Sequence, residues 1–326
     1  MKRTKFFPAL LLALLLAGGP VAAAPTDTEA LLYEAIVAAY GRQDYARTRE
    51  IWEPLAEAGN ADAQNNLGYL YDEGLGVTKD YAKARQWYEK AAAQGNDGAQ
   101  NNLAYLYQHG LGVKQNYAKA RELYEQAAEA GNASAQNNLG YLYHQGQGVK
   151  QDYAKAREWY EKAAAQGHTG AQNSLGYLYE HGQGVKQDYA KARELYKQAA
   201  EAGNASAQNN LGYLYQHGQG VKQDYAKARE WYEKAAAQGN DGAQNNLGYL
   251  YEHGHGVKQD YAKARELYEQ AAKAGDASAQ YNLGTLYYYG KGVQKDYAEA
   301  RRWFEKAAAQ GDEDAQAALR ELNDQN

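Results

Sequence analysis

Cysteine is absent from all 326 residues. That rules out a disulfide framework, a thiolate nucleophile and the acylated cysteine of a lipoprotein anchor. Proline occurs only four times, as suits a mostly helical chain. Phe (3) and Met (1) are scarce, and Tyr (32) supplies most of the aromatic content. Tyrosine joins an apolar ring to a polar tip, so it fits half-buried positions and binding faces. The chain has no basic block and a formal net charge of −5, which excludes the clustered cations that a nucleic-acid backbone requires. Its one long apolar run, Phe6 to Ala17, has 12 residues, too few to span a bilayer as a helix.

That run reads as the core of a secretory signal peptide. Lys2, Arg3 and Lys5 precede it, Gly18-Gly19-Pro20 breaks it, and Val21-Ala22-Ala23 supplies small residues for cleavage after Ala23. Loss of the three cations takes the net charge from −5 to −8. The expected product is soluble and exported, periplasmic or secreted, with no stable membrane insertion.

What the chain has in abundance is repetition. Gln64-Asn65-Asn66-Leu67-Gly68-Tyr69-Leu70-Tyr71 recurs every 36 residues, near-identically from Gln100, Gln136, Gln172, Gln208 and Gln244 and more loosely from Gln280. A period of this size marks one supersecondary unit stacked many times. Residues 1–23 are the expected leader, 24–59 a degenerate capping repeat, 60–311 seven repeats, and 312–326 a capping helix and tail.

The unit predicts two helices. Apolar residues at 63, 67, 70 and 71 follow the helical period over Asp62 to Glu73. Gly74-Leu75-Gly76-Val77 ends that helix, and Asp80 caps a second from Tyr81 to Gln94, with Ala84, Tyr88, Ala91 and Ala92 inward. Small residues at 68, 84 and 91 allow close approach, and Tyr71 and Tyr88 fill the gaps between layers. The capping repeat predicts one helix over Glu29 to Tyr40, carrying Leu32, Ile36 and Tyr40, and a second over Asp44 to Gly59 interrupted by Pro54. At the far end, Glu313 to Leu322 predicts a single helix with Leu319 in the place of Leu67. A 72-residue period overlies the first. Trp87, Trp159, Trp231 and Trp303 alternate with Leu123, Leu195 and Leu267, so a pair of repeats multiplied. Residues 132–167 and 204–239 differ only at His144-Gln145 against Gln216-His217. Copies this recent agree even where nothing selects for agreement.

Gln64-Asn65-Asn66-Leu67-Gly68, with Tyr71, Gly74, Gly76, Val77, Asp80, Ala84, Trp87, Tyr88, Lys90, Ala91, Ala92 and Gly95, closely resembles the Sel1-like repeat family, a relative of the tetratricopeptide repeat. The resemblance implies an all-α fold, an α/α solenoid of stacked antiparallel helix pairs in a right-handed superhelix. It implies a protein–protein adaptor rather than an enzyme. Some cysteine-rich bacterial members are linked to penicillin binding and β-lactamase activity, and this chain lacks their cysteines. A cell-wall-associated protein that binds peptidoglycan or β-lactams stands as the alternative.

Candidate chemistry is sparse. The seven Gly-x-Gly pairs lack the third glycine of a dinucleotide loop and the Gly-Lys-Ser/Thr of a phosphate loop, so they read as turns. His109, His181, His217 and His253 share one repeat position. Copies about 10 Å apart cannot share a zinc ion whose ligands sit about 2 Å away, and His253-Gly254-His255 reads as a solvated pair. Glu89 stands four residues after Arg85, the spacing of a surface ion pair. No catalytic, metal or cofactor site is expected, since a catalytic centre needs unlike residues converging once.

One stripe points to binding. With Leu67 and Tyr71 inward, positions 62, 65, 69, 72 and 73 share another side of the first helix, the side that lines the concave groove in related helical repeats. It carries Asn65, Asn101, Asn137, Asn173, Asn209 and Asn245 beside Tyr69, Tyr105, Tyr141, Tyr177, Tyr213 and Tyr249. Carboxamides donate to and accept from a peptide backbone, and tyrosines add flat contact area at low entropy cost. An extended peptide or partner protein is the expected ligand, with a glycan strand second. Bonding of these side chains between repeats is the competing use. The last repeat departs from the stripe with Tyr281, Thr285, Tyr288 and Tyr289.

Overall fold

The computed structural model describes residue 31, residues 34–35 and residues 37–324. The expected leader lies outside the described residues, as do Glu29, Leu32 and Ile36 of the first expected helix. Val37–Gly41 forms a π-helical turn.

Two compact units divide the chain, one ending at His168 and the other beginning at Thr169. In the first unit the helices are α1 Tyr45–Glu57, α2 Ala61–Glu73, α3 Tyr81–Ala93, α4 Asp97–His109, α5 Tyr117–Glu129, α6 Ala133–Gln145 and α7 Tyr153–Ala165. In the second they are α8 Thr169–His181, α9 Tyr189–Glu201, α10 Ala205–His217, α11 Tyr225–Ala237, α12 Asp241–His253, α13 Tyr261–Ala274, α14 Ala277–Tyr289, α15 Tyr297–Ala309 and α16 Glu313–Asp324. Within each unit every helix packs on the next one along the chain, giving stacked helix pairs of the α/α solenoid class. There is no strand among the described residues.

The caps follow from side-chain chemistry. Asp80 accepts from the Lys83 amide at 3.0 Å, and Asn60 accepts from Ala63 at 2.9 Å, each satisfying an orphan donor of a helix start. Gly74 closes α2 in the left-handed conformation at φ 73°. Gly76, at φ 65°, lies so close to α1 that a Cβ would stand 2.8 Å from the Tyr45 backbone. The Gly-x-Gly pair therefore serves one glycine to the turn and one to the seating of that turn on the preceding second helix.

Buried glutamines tie three helices together. Gln64 donates to the Ala56 carbonyl at 2.9 Å and accepts from Gln94 at 2.8 Å. This joins the end of α1 to α2 and to the end of α3. Gln208 does the same with Ala200 and Gln238 in the second unit. The carbonyls are the orphan acceptors of helix C-termini, which explains why an amide is buried at this position.

Two details of the capping segments differ from expectation. α1 runs unbroken through Pro54. Pro54 is on the exposed side, where the carbonyl it cannot serve is open to water, and Ile51 and Trp52 hold the opposite side in the core. α16 extends to Asp324. It buries Ala315 and Leu322, while Leu319 is only partly covered.

Candidate binding face

Positions 65, 69 and 73 stand four residues apart on the first helix of each repeat and form one ridge. Neighbouring ridges are laced by amides. Asn65 Oδ1 accepts from Asn102 Nδ2 at 3.1 Å, and Asn101 from Asn138 at 3.1 Å. In the second unit Asn173 accepts from Asn210 at 3.0 Å, Asn209 from Asn246 at 3.0 Å, and Asn245 from Asn282 at 2.9 Å. The donors occupy the position just after the ladder asparagine, and sequence reasoning missed them although the Asn-Asn pair was in view. The Nδ2 groups of Asn101 and Asn137 reach the neighbouring side-chain oxygen only at 3.4 Å. Those of Asn173, Asn209 and Asn245 have no acceptor among the described residues.

The tyrosines of the ridge stand further out. Tyr177, Tyr213 and Tyr249 are 37%, 39% and 38% exposed. Each lies against the histidine one turn later. Ring centroids are 4.0 Å apart for Tyr177–His181, 4.2 Å for Tyr213–His217 and 4.1 Å for Tyr249–His253. Tyr105–His109 repeats the contact at 4.2 Å in the first unit. His181 and His253 set Nδ1 at 3.0 Å from the carbonyl of their own tyrosine. A carbonyl only accepts, so Nδ1 carries the proton and the neutral ring keeps an accepting Nε2. Burial lowers the His217 imidazole below its ordinary value, favouring this neutral form. Glu73 and Gln145 take the histidine position in two repeats of the first unit, and Tyr289 takes it in α14. Tyr69 and Tyr141 sit on the same ridge, half-buried.

Position 72 leaves the expected stripe. Asp72 is buried, and the Tyr88 hydroxyl donates to it at 3.1 Å. The reason is the ridge of Gly68, four residues earlier. A Cβ on Gly68 would stand 2.7 Å from the Tyr88 ring, and the hydroxyl end of that ring reaches one turn further along, to 72. The same arrangement recurs at Tyr124 with Gln108 (2.9 Å), Tyr196 with Glu180 (2.6 Å), Tyr232 with Gln216 (2.9 Å) and Tyr268 with Glu252 (3.0 Å). His144 lies edge-on to Tyr160 with centroids 6.4 Å apart. Phe304, which has no hydroxyl, faces the repeat in which this position is Tyr288. Burial raises the hydroxyls of Tyr196, Tyr232 and Tyr268 above the ordinary phenol range, and for Tyr196 and Tyr268 the adjacent carboxylate adds to it. Glu252 also holds Lys291 at 3.1 Å.

Charge is concentrated on the second helices. Arg85 pairs with Glu89 at 3.6 Å. Lys90, Lys162, Lys234 and Lys306 lie over Trp87, Trp159, Trp231 and Trp303 at 4.0, 3.8, 4.1 and 4.0 Å. The His253 and His255 rings are 5.7 Å apart. Among the described residues no three His, Asp or Glu side chains are grouped to hold a metal, and no helix is long and apolar enough to cross a membrane.

The Sel1 repeat profile matches residues 61–96, 98–132, 133–168, 169–204, 205–240, 242–276 and 277–312. The chain is similar to the solved structure of c5321, described as a protective antigen present in uropathogenic Escherichia coli strains and displaying an SLR fold. Identity is 42% over 84% of this chain and 59% of that one, with a TM-score of 0.69. The chain thus spans under two thirds of that antigen's length. It is also similar to a Sel1 repeat protein from Oxalobacter formigenes, at 36% identity over 74% of this chain and 96% of that one, with a TM-score of 0.68. No curated protein sequence matches the chain. Seven tandem matches place the chain in the Sel1 repeat family, whose repeats generally serve as protein–protein interaction scaffolds.

Proposed function

We propose that the chain is a non-catalytic scaffold, exported from the cell, that holds an extended peptide or an extended segment of a partner protein against its first-helix ridges. Each unit carries its own such face: Asn65, Tyr69, Asn101, Tyr105, Asn137 and Tyr141 in the first, and Asn173, Tyr177, Asn209, Tyr213, Asn245 and Tyr249 in the second. The observation that carries the reading is the threefold recurrence of an exposed tyrosine lying against a histidine one turn later in α8, α10 and α12. Rigid aromatic platforms at a fixed interval supply contact area without the cost of ordering long side chains. The asparagines divide their work: the oxygen sets the register of neighbouring helices, and the amide N–H faces the ligand.

A displayed library of random peptides, panned in parallel against the chain and against Tyr177→Ser/Tyr213→Ser/Tyr249→Ser, tests this. Far-UV circular dichroism checks that the variant keeps its helices. Peptides enriched only on the parent chain support the reading. Equal enrichment on both would move the site off this face and overturn it. Export is tested separately: N-terminal sequencing of the product from expressing cells is expected to begin at Ala24.

A further inference from the structure

The geometry points to a narrower ligand class for this face, and the inference rests on the reading just given. We infer that the second unit takes an uncharged, proline-rich segment in the polyproline II conformation, laid across α8, α10 and α12 with one turn on each Tyr–His platform.

Three observations converge. The first is charge. The outward residues of the three ridges are Asn173, Tyr177 and His181, then Asn209, Tyr213 and His217, then Asn245, Tyr249 and His253. None is an Asp, Glu, Lys or Arg. Glu180 and Glu252 on the same helices turn inward to buried tyrosines, and Asp241 stands one turn before Asn245. A charged ligand would lose its hydration here and gain no counter-charge.

The second is hydrogen bonding. Each ladder asparagine already uses its oxygen on the next repeat, so its amide is left as a donor for the acceptors of a ligand. Polyproline II has no internal hydrogen bonds and displays its carbonyls. A proline-rich chain also brings no backbone N–H in need of a partner.

The third is spacing. Packed helices lie about 8–10 Å apart, and the Asn–Asn bonds hold successive first helices side by side. A polyproline II turn has three residues and advances about 9.3 Å, so residues i, i+3 and i+6 return to the same side at about the spacing of neighbouring helices. A β-strand returns every second residue, about 6.6–6.8 Å, and falls out of step. Aromatic-lined grooves are the known physical solution for such ligands. In α14 Thr285 replaces the tyrosine, so the run of platforms ends there.

The test uses capped nonaproline as probe against the full chain, with a Gly/Ser nonapeptide and an N-acetylglucosamine oligomer beside it. Nonaproline is expected to bind saturably and to shift the imidazole signals of His181, His217 and His253. The affinity is expected to be unchanged between low and high salt. Tyr213→Ser weakens binding about tenfold, whereas Tyr213→Phe, which keeps the ring, binds as the parent does. Failure of nonaproline to bind, equal loss with Phe and Ser, or capture of the glycan in its place would each overturn the inference. If panning still yields tyrosine-dependent peptides that lack proline, the broader reading stands and this one falls.

Discussion

Two tyrosine ladders run through the repeats 19 residues apart in sequence, and they have opposite fates. Tyr88, Tyr124, Tyr160, Tyr196, Tyr232 and Tyr268 are almost fully buried. Tyr177, Tyr213 and Tyr249 stand more than a third exposed. The side chain is the same, and the neighbours decide. Tyr88, Tyr196, Tyr232 and Tyr268 each rest on a glycine and set the hydroxyl on an acceptor one turn beyond it. Gly212 shows the fit: a Cβ there would stand 2.7 Å from Tyr232. An outer ring lies against a histidine one turn later and keeps more than a third of its surface exposed. The inner ladder holds the pair of helices together, and the outer ladder is the one proposed above to meet a partner.

The contrast is sharpest in alkali. Burial holds the hydroxyls of Tyr196, Tyr232 and Tyr268 protonated beyond the ordinary phenol range. The unfolded chain releases those protons at about pH 10. The unfolded state therefore binds fewer protons above that pH, and stability falls as pH rises through it, while below it the contribution is fully present. Urea midpoints are expected to be level from pH 8 to about 9 and to drop steeply by pH 11. A flat profile would mean that the inner hydroxyls are not enclosed.

Truncation separates the ladders next. Tyr232→Ala removes a fully buried ring and is expected to cost about 3–5 kcal/mol. The same change at Tyr213 is expected to stay within about 0.5 kcal/mol. Urea unfolding of the two variants, side by side, measures the difference, and similar losses would erase the distinction. Removing only the hydroxyl is milder. Tyr268→Phe leaves the Glu252 carboxylate short of one donor, with Lys291 still in place, for about 1–3 kcal/mol. Tyr232→Phe, which orphans only an amide oxygen at Gln216, is expected to cost less, about 1 kcal/mol.

The helix pairs, their turns and their inward leucines were readable from the 36-residue period, because Leu67, Gly74 and Asp80 each have one physical use at their position. The ladders were harder. Position 72 shares the outer stripe by helical spacing, and it is Asp, Gln, His, Glu, Gln, Glu and Tyr in successive repeats, variation that a solvent-facing site would also show. It is instead the tolerance of a buried hydroxyl, which needs an acceptor and accepts several kinds. Asn66 and its copies vary only at Ser174, so near-identical repeats hid that the asparagines from Asn102 onward donate to the preceding ridge. Tyr213 and His217 were both singled out, yet as separate rows. Their stacking follows from the four-residue spacing alone. Pro54 was overweighted: a proline on an exposed helix side costs one bond to water, and the buried Trp52 beside it decides the fold.

The lacing of the outer ridge gives the next smaller effect. Asn210→Ala removes one amide donor to Asn173 and is expected to cost about 0.5–1.5 kcal/mol, while a matching change at Ser174, which has no amide, is expected to cost less. The smallest effect on stability is at the outer ring itself, and it separates structure from binding most cleanly. Tyr213→Ser is expected to leave the urea midpoint unchanged within error, since a surface helix position contributes within about 0.5 kcal/mol. It is nevertheless expected to abolish enrichment of peptides that the parent chain selects. The His217 signal reports on the same site, because loss of the stacked ring exposes the imidazole and relieves the burial that holds it below its ordinary range. Its titration midpoint is therefore expected to move upward by proton NMR. An unmoved midpoint would mean that the ring does not cover the histidine in solution, and the outer ladder would then lack the rigid platform on which its role depends.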